Sequence, residues 1–484
     1  MTNSYLDLTD MFCGCGGSSQ GAQDAGVEVK LAMNHWDRAI ESHNTNFPGA
    51  EHVCADVYST DPRRYRSTTL LWASPECTNH ANAKGQKRAP QQASLLEDSI
   101  LDPSAIRSRA TMWDVPRFAE YHNYKAIIVE NVVEARQWRL WDAWLHAMRS
   151  LDYDYKILYL NSMFFGVPQS RDRLYAVFWK KGTRAPDLDF RPPAHCPNCD
   201  KVVYSIQSWK KPNKPWGRYD GGGQRRQYYY RCPTCAEIVH PGTSPALTVI
   251  DWADTGIRIG DRKQPLKPRT LERIQRGLDK YGGQYLVVDT AYSHAKNQRT
   301  WPADQPMSTQ TTRQTKGLAV PPSSVIVFRR EADGQSPADP LTTITAGAIN
   351  HGLARMPFFV LAYTPGYSKP VNQALGTVTP YDHHQLIQRM PFLASYYRHG
   401  NTKAVDEPLP TLTTRECHAL VQPETVAIED CYFRMLKPME IKLGMGLGWD
   451  YAVLGTKREQ VRQCGQAVTP PPATWIFNRI TPVL

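Results

Sequence analysis

The 484 residues suffice for two to four domains at roughly 100–200 residues each. Hydrophobic residues at 41% and aromatics at 10% exclude a disordered chain. No run approaches the roughly 18 apolar residues of a membrane span, and the opening MTNSYLDLTD has no basic-then-apolar segment, so secretion and membrane insertion are not expected. Fifty-seven lysines and arginines against 46 acids leave a charge of +11, which permits nucleic-acid binding without requiring it. The 11 cysteines, an odd number, point to reduced thiols in a cytosol and not to a disulfide framework.

Residues 1–190 alternate apolar strand candidates with amphipathic helices. The strands are Tyr5–Phe12, Val29–Asn34, His52–Val57, Thr69–Ala73, Ala126–Glu130, Tyr155–Asn161 and Leu174–Trp179; Arg38–His43 and Trp138–Ser150 are helical. This alternation predicts an α/β fold with a parallel, doubly wound sheet, whose ligands bind at the carboxyl ends of the strands. Composition shifts at Arg191–Pro193 towards proline, threonine, glycine and tyrosine. A 34-residue repeat follows, marked by Pro306-Met-Ser-Thr309-Gln-Thr311, Pro340-Leu-Thr-Thr343-Ile-Thr345, Ala374-Leu-Gly-Thr377-Val-Thr379 and Pro408-Leu-Pro-Thr411-Leu-Thr413. The copies end near Leu318, Leu353, Leu386 and Leu420, and an imperfect fifth starts at Pro245-Ala-Leu-Thr248. The Thr-x-Thr cores suit strands. From Tyr432 the tail turns helical, with Pro438 in a first turn and Met439, Leu443 and Met445 on one face; Pro470-Pro471-Pro472 introduces a final helix.

Four motifs carry chemistry in the first part. Phe12-Cys-Gly14-Cys-Gly16-Gly17 closes a strand and opens a helix, a pattern that fits a structural tight turn as well as a cofactor loop. Without G-x-x-x-x-G-K-[ST] it is not a phosphate-cradling NTPase loop. Cys77, in Pro75-Glu76-Cys77, follows an apolar strand and reads either as a nucleophile or as an inert buried thiol. Glu130 closes the apolar run Ile127-Ile-Val, where a carboxylate is costly unless paired or functional. Arg171 and Arg173 alternate, so an extended segment presents both on one face.

In this order, with Glu130-Asn131-Val132, Gln169-x-Arg171-x-Arg173 and Gln463-Cys-Gly465-Gln466-Ala-Val468, the motifs resemble the DNA cytosine-5-methyltransferase family. The resemblance covers about residues 5–180 and 430–476. It implies a doubly wound, Rossmann-like S-adenosylmethionine-dependent methyltransferase sheet with an inserted, mainly-β recognition domain. Phe12, Gly14, Gly16 and Gly17 match the cofactor loop, with His35, Trp36 and Asp56 completing the S-adenosyl-L-methionine site. Cys77 matches the nucleophile, Glu130 the acid that meets N3 of the base, and Arg171 and Arg173 the pocket arginines; Arg434 and Gln463 lie in the segment that returns to the catalytic domain. Three positions depart from the family pattern. Glu76 precedes Cys77, His35 replaces the acid usual two residues before Asp37, and Gln466 stands where asparagine is usual.

The implied partner is double-stranded DNA, with a cognate restriction endonuclease as one further partner the family admits. The implied state is a monomer in the cytoplasm of a bacterial or phage-infected cell. The basic segment with Lys84, Lys87, Arg88, Arg107 and Arg109 reads as a lid over DNA phosphates or as a solvated loop. RNA cytosine-5 methylation, transfer of another group, and a non-catalytic DNA-binding relative stay open; the last draws on Glu76.

Cys196-Pro-Asn-Cys199 and Cys232-Pro-Thr-Cys235 form two C-x-x-C knuckles, a strong pattern for a tetrahedral structural zinc in a ribbon. The expected organisation is a catalytic domain over 1–190, a zinc ribbon over 191–241, a repeat-containing target-recognition region over 242–425, and a returning segment over 426–484. Arg313, Arg355, Arg398, His399 and Arg415 are the candidate base or phosphate readers of the repeat region.

Overall fold

The computed structural model describes residues 6–75, 111–220, 227–244 and 431–484 without interruption, and in between most of 246–275, residues 305–309 and the short segments named below. The chain forms two compact units. One holds the residues up to Ile250, Gln305–Thr315 and Leu436–Leu484; the other holds Asp251–Asp304 and Lys316–Met435.

The first unit is built on strands β1 (Asp7–Met11), β2 (Glu28–Asn34), β3 (Glu51–Cys54), β4 (Leu70–Ala73), β5 (Ala126–Asn131), β6 (Tyr153–Asn161) and β8 (Asp172–Lys180), with the two-residue β7 (Gln169–Ser170) outside the main sheet. Their order is β3-β2-β1-β4-β5-β8-β6. The sheet is mixed and not wholly parallel as expected, because β8 runs antiparallel to both β5 and β6. The link from Asn161 to Asp172 is too short for the dozen or more residues of a parallel crossover, so β8 has to fold back.

Side chains on the central strands alternate between two cores, as the two-residue period of a strand dictates. Met11, Leu71, Ala73, Ile127 and Val129 face one side, with Phe118 and Trp144 of helices α3 (Asp114–His122) and α4 (Trp141–Ser150). Leu8, Leu70, Trp72, Ala126 and Ile128 face the other, with Phe477 and Ile480 of α7 (Pro470–Ile480). The N-terminal helices are α1 (Gly17–Asp24) and α2 (Asp37–Asn46), and α5 (Pro438–Gly444) and α6 (Lys457–Gln466) precede α7. Pro470 sits in the first turn of α7, where its missing N–H costs nothing. Pro438 likewise opens α5, but the buried face is Ile441, Met445 and Leu447; Met439 is 48% exposed, contrary to expectation. A seven-residue helix presents too few turns for one stripe to settle its buried side.

The segment after β8 folds into a hairpin, β9 (Pro193–Cys196) with β10 (Lys201–Tyr204), and a three-stranded sheet of β11 (Ile206–Trp209), β12 (Tyr228–Arg231) and β13 (Ile238–Val239). This ribbon is continuous with the first core. Phe164 meets Tyr219 and Tyr230 edge-on at 4.8 and 5.2 Å, and Trp209 meets Tyr159 at 5.6 Å.

The second unit begins with an antiparallel sheet of Ile257–Arg258, Tyr432–Met435, Lys316–Val320, Leu286–Asp289 and Thr300–Pro302, in that spatial order. The 34-residue period then recurs in the backbone. Phe358–Leu361 pairs with Ser368–Pro370 and His384–Ile387, and 34 residues on, Phe392–Ser395 pairs with Thr402–Ala404 and His418–Val421. These two copies are thus three-stranded units with the first strand central, and Leu386 and Leu420 lie in the third strand; one period earlier, Ser324–Val327 pairs with His351–Ala354. The later Thr-x-Thr cores fall outside the described residues. The fifth copy is not a strand, since Ala246–Val249 forms a 3-10 turn.

Candidate active site

The glycine turn follows β1 directly. Phe12 and Gly14 both take left-handed backbone, with φ of 60° and 55°. A Cβ at Gly14 would meet nothing within 4 Å, so this residue faces open space. Gly16 and Gly17 serve a different purpose. A Cβ on Gly17 would lie 2.0 Å from the Val468 carbonyl oxygen, and one on Gly16 would lie 2.5 Å from the Tyr451 hydroxyl. These two glycines admit the returning segment, whose Tyr451 hydroxyl donates to the Cys15 carbonyl.

Beneath the turn runs a buried polar chain that sequence reasoning missed. Asp10 accepts hydrogen bonds from the Ser18 and Ser19 hydroxyls at 2.6 Å. Ser19 also bonds His43 Nε2 at 2.9 Å, and His43 Nδ1 bonds His52 Nε2 at 2.8 Å. Burial pushes the Asp10 carboxyl up to about 6 against the pull of both serines, and burial first, then His52, pushes His43 down to about 3. The available signal was an aspartate inside a strand followed by paired serines in the next helix's first turn.

The carboxyl edge continues with His35 and Trp36 after β2 and Asp56 after β3. His35 and Asp56 are exposed. Trp36 donates its backbone N–H to Asn34 Oδ1, and the Arg462 guanidinium of α6 lies 4.3 Å from its ring centroid. Asp56 caps a 3-10 turn by accepting from the Tyr58 N–H.

Glu130, near the end of β5, is 7% exposed and forms an ion pair with Arg173 Nε at 2.9 Å. The neighbouring Asn131 donates to the Pro75 carbonyl at 3.2 Å and accepts from the Val132 N–H. This bond fixes the chain beside β5 at the point where it leaves β4 towards Cys77. Cys77 and the basic segment with Lys84, Lys87, Arg88, Arg107 and Arg109 lie outside the described residues. Arg171 is buried but does not share Arg173's partner. Its Nη2 donates to the Gly465 and Ala467 carbonyls, stitching the strand turn to the tail. Gln169 donates to the Gly444 carbonyl and Gln463 to that of Leu454. Arg434 belongs to the second unit, where its guanidinium donates to the Asp251 and Asp254 carbonyls.

In the ribbon, the sulfur atoms of Cys196, Cys199, Cys232 and Cys235 all lie within 4.8 Å of one another. Cys196 and Cys235 are 3.5 Å apart and Cys199 and Cys232 3.9 Å, too far for a disulfide and close to the roughly 3.8 Å edge of a tetrahedron with 2.3 Å metal–sulfur bonds. The nine cysteines among the described residues are all free thiols.

Residues 6–221 match the family model of the C-5 cytosine-specific DNA methylase. The type II methyltransferase M.HgiDI of Herpetosiphon aurantiacus is 26% identical over 236 residues, covering 48% of this chain and 66% of its own. M.HhaI of Haemophilus parahaemolyticus is 24% identical over 193 residues, covering 39% and 53%. The chain spans between 40% and 66% of the length of these and similar curated relatives. Among solved structures, a mutant of Spodoptera frugiperda DNMT2 aligns over 97% of this chain and 98% of its own, with a TM-score of 0.46 and 12% identity. A putative DNA modification methyltransferase encoded within an Escherichia coli prophage aligns over 99% of both, with a TM-score of 0.43 and 14% identity. Residues 6–221 therefore carry a methylase domain built on an α/β sheet. Over those residues, less than half of the chain, the protein is similar to the C-5 cytosine-specific DNA methylases.

Proposed function

We propose that this chain methylates C5 of cytosine in DNA, with Cys77 as nucleophile and Glu130 as the group that meets N3. The observation that carries this reading is the buried Glu130 held by Arg173 at the carboxyl end of β5, next to the strand exit that leads to Cys77. S-adenosylmethionine, when bound, supplies an electrophilic methyl group. The open left-handed turn at Phe12 and Gly14 fits such a ligand, and Trp36, His35 and Asp56 are its further candidate contacts.

Cytosine C5 is a poor nucleophile, so the Cys77 thiolate first adds to C6 and breaks the ring's aromaticity. Glu130 stabilises the developing enamine at N3, and Arg173 orients that carboxyl. C5 takes the methyl group, H5 leaves as a proton to a base, and the Cys77 thiolate departs to restore the double bond. Because a duplex hides C6, the target base is flipped out of the stack.

The four clustered sulfurs fit zinc. Crowded thiols cannot all ionise without a cation, and four sulfurs at tetrahedral spacing leave no open coordination position, so the ion's role is structural. In the organisation we propose, residues 1–190 and 426–484 catalyse, the ribbon over 191–241 buttresses them, and 242–425 selects the sequence. Arg313, Arg355, Arg398, His399 and Arg415, outside the described residues, are the candidate readers.

A duplex containing 5-fluorocytosine tests the chemistry, because fluorine blocks the final elimination. A covalent adduct is expected with cofactor present and not with Cys77→Ala. Undiminished adduct in that variant removes Cys77 from the mechanism, and adduct on RNA but not on DNA reassigns the substrate.

A further inference from the structure

Where the ribbon meets the outer strand of the sheet there is a cavity of about 570 Å³, within the range of small-ligand sites. None of the catalytic or cofactor candidates lines it. One wall is β6 and the segment Leu188–Arg191, and the other is the ribbon from Ile206 to Trp216. Leu160, which lines it, pairs with Arg173 across β6 and β8, so the cavity sits one strand outboard of the Glu130 ion pair.

Its lining combines two chemistries. Trp209 and Trp216 are half-buried and offer indole surface. Arg136, Lys156 and Arg191 contribute three cations against the single carboxylate of Asp189, which Lys156 contacts at 2.6 Å and Arg191 at 3.7 Å. A fourth cation, Lys214, lies 4.1 Å from the Trp216 ring centroid. Tyr230 also lines the cavity, and its buried hydroxyl has no hydrogen-bond partner among the described residues. A buried polar group in that state calls for a partner supplied from elsewhere.

We propose that this cavity binds a nucleotide, with the base against Trp209 or Trp216 and the phosphate on Arg136, Lys156 and Arg191. Flat aromatic surface beside basic side chains is the combination that holds unpaired nucleotides without regard to sequence. An acidic peptide would satisfy the cations but leave the indoles unused. The same chemistry is offered by a nucleotide unpaired within a DNA strand and by a free nucleotide.

The test uses the full chain without S-adenosylmethionine, so its outcome does not depend on methyl transfer. A labelled thymidine tetranucleotide containing 5-iododeoxyuridine is titrated by fluorescence anisotropy, then photo-crosslinked and mapped by mass spectrometry. Crosslinks are expected at Trp209 or Trp216. Affinity should fall at least tenfold in Trp216→Ala and in Lys156→Gln/Arg191→Gln, whose positions are accessible enough to leave the fold intact. The double variant should also show a shallower salt dependence. Competition by thymidine monophosphate at a concentration near the tetranucleotide's own Kd assigns the site to free nucleotides, and failure to compete assigns it to a strand. Crosslinks confined to other regions, or unchanged affinity in both variants, overturn the proposal.

Discussion

The half of the sheet that carries the glycine turn and the half that carries Glu130 are closed by different means. Behind β1 and β4, the returning segment packs backbone to backbone. Gly17 leaves room for the Val468 carbonyl, Gly21 lets Ala473 approach, and Trp72 meets Phe477 with ring centroids 5.4 Å apart. Beside β6 and β8, the ribbon packs through aromatic rings and a few polar ties. The Tyr219 N–H donates to Asp172, one residue from Arg173, and Gln207 donates to the Tyr159 carbonyl. The first closure needs only the chain itself. On the proposed reading the second also needs a metal, so the two halves should respond to different perturbations.

The sharpest separation comes from the cysteines. Structural zinc contributes roughly 10–16 kcal/mol to folding in isolated zinc-finger peptides. Chelation, or Cys199→Ser/Cys235→Ser, should therefore abolish hydrogen-exchange protection in β10 and β12 while β1 and β2 keep theirs. Equal loss in both halves would erase the distinction. Gly17→Ala attacks the other closure. Its Cβ would overlap a backbone oxygen that cannot rotate away, and a cost of about 3 kcal/mol or more in urea denaturation is expected, with zinc content unchanged.

The buried histidine sharpens the comparison through pH. His43 stays neutral in the folded state down to about 3, whereas it titrates near 6.5 when unfolded. The unfolded chain therefore binds the extra proton, and folded stability is lost as pH falls from 6.5 towards 3. At pH 4 this loss amounts to about 3 kcal/mol. His43→Gln removes it, so the variant's deficit measured by urea denaturation should shrink by about that amount between pH 7 and pH 4. A constant deficit would mean that His43 is not held neutral. Gly14→Ala should have the smallest effect. With open space around it, only the left-handed backbone is penalised, at about 1 kcal/mol in the same assay.

The sequence made the strands legible because burial on both faces leaves short apolar runs such as Leu70–Ala73 and Ala126–Val129. It did not reveal the direction of β8, since an apolar strand reads the same whichever way it runs. The Glu130-Asn131 motif and the C-x-x-C pairs were visible as local patterns, and their clustering could be expected from spacing. The partners of the glycines could not. What presses on Gly17 is Val468, a contact that no local pattern encodes. Likewise Arg171 and Arg173 look alike in a strand, yet one bonds the tail and the other Glu130. The Asp10 chain stayed hidden because its histidines come from α2 and β3.

The docking of α7 on α1 also sets a timetable for biosynthesis. Leu8, Leu70, Trp72 and Ile128 share one face of the sheet, and Phe477 and Ile480 belong to its cover. At about 5–20 residues per second, the ribosome needs roughly 15–60 s to travel from the end of β8 at Lys180 to Pro470. Throughout that interval the nascent sheet has strands but lacks that lid, and a hydrophobic surface centred on Trp72 waits uncovered. Completion of the first unit therefore follows translation of the entire second unit.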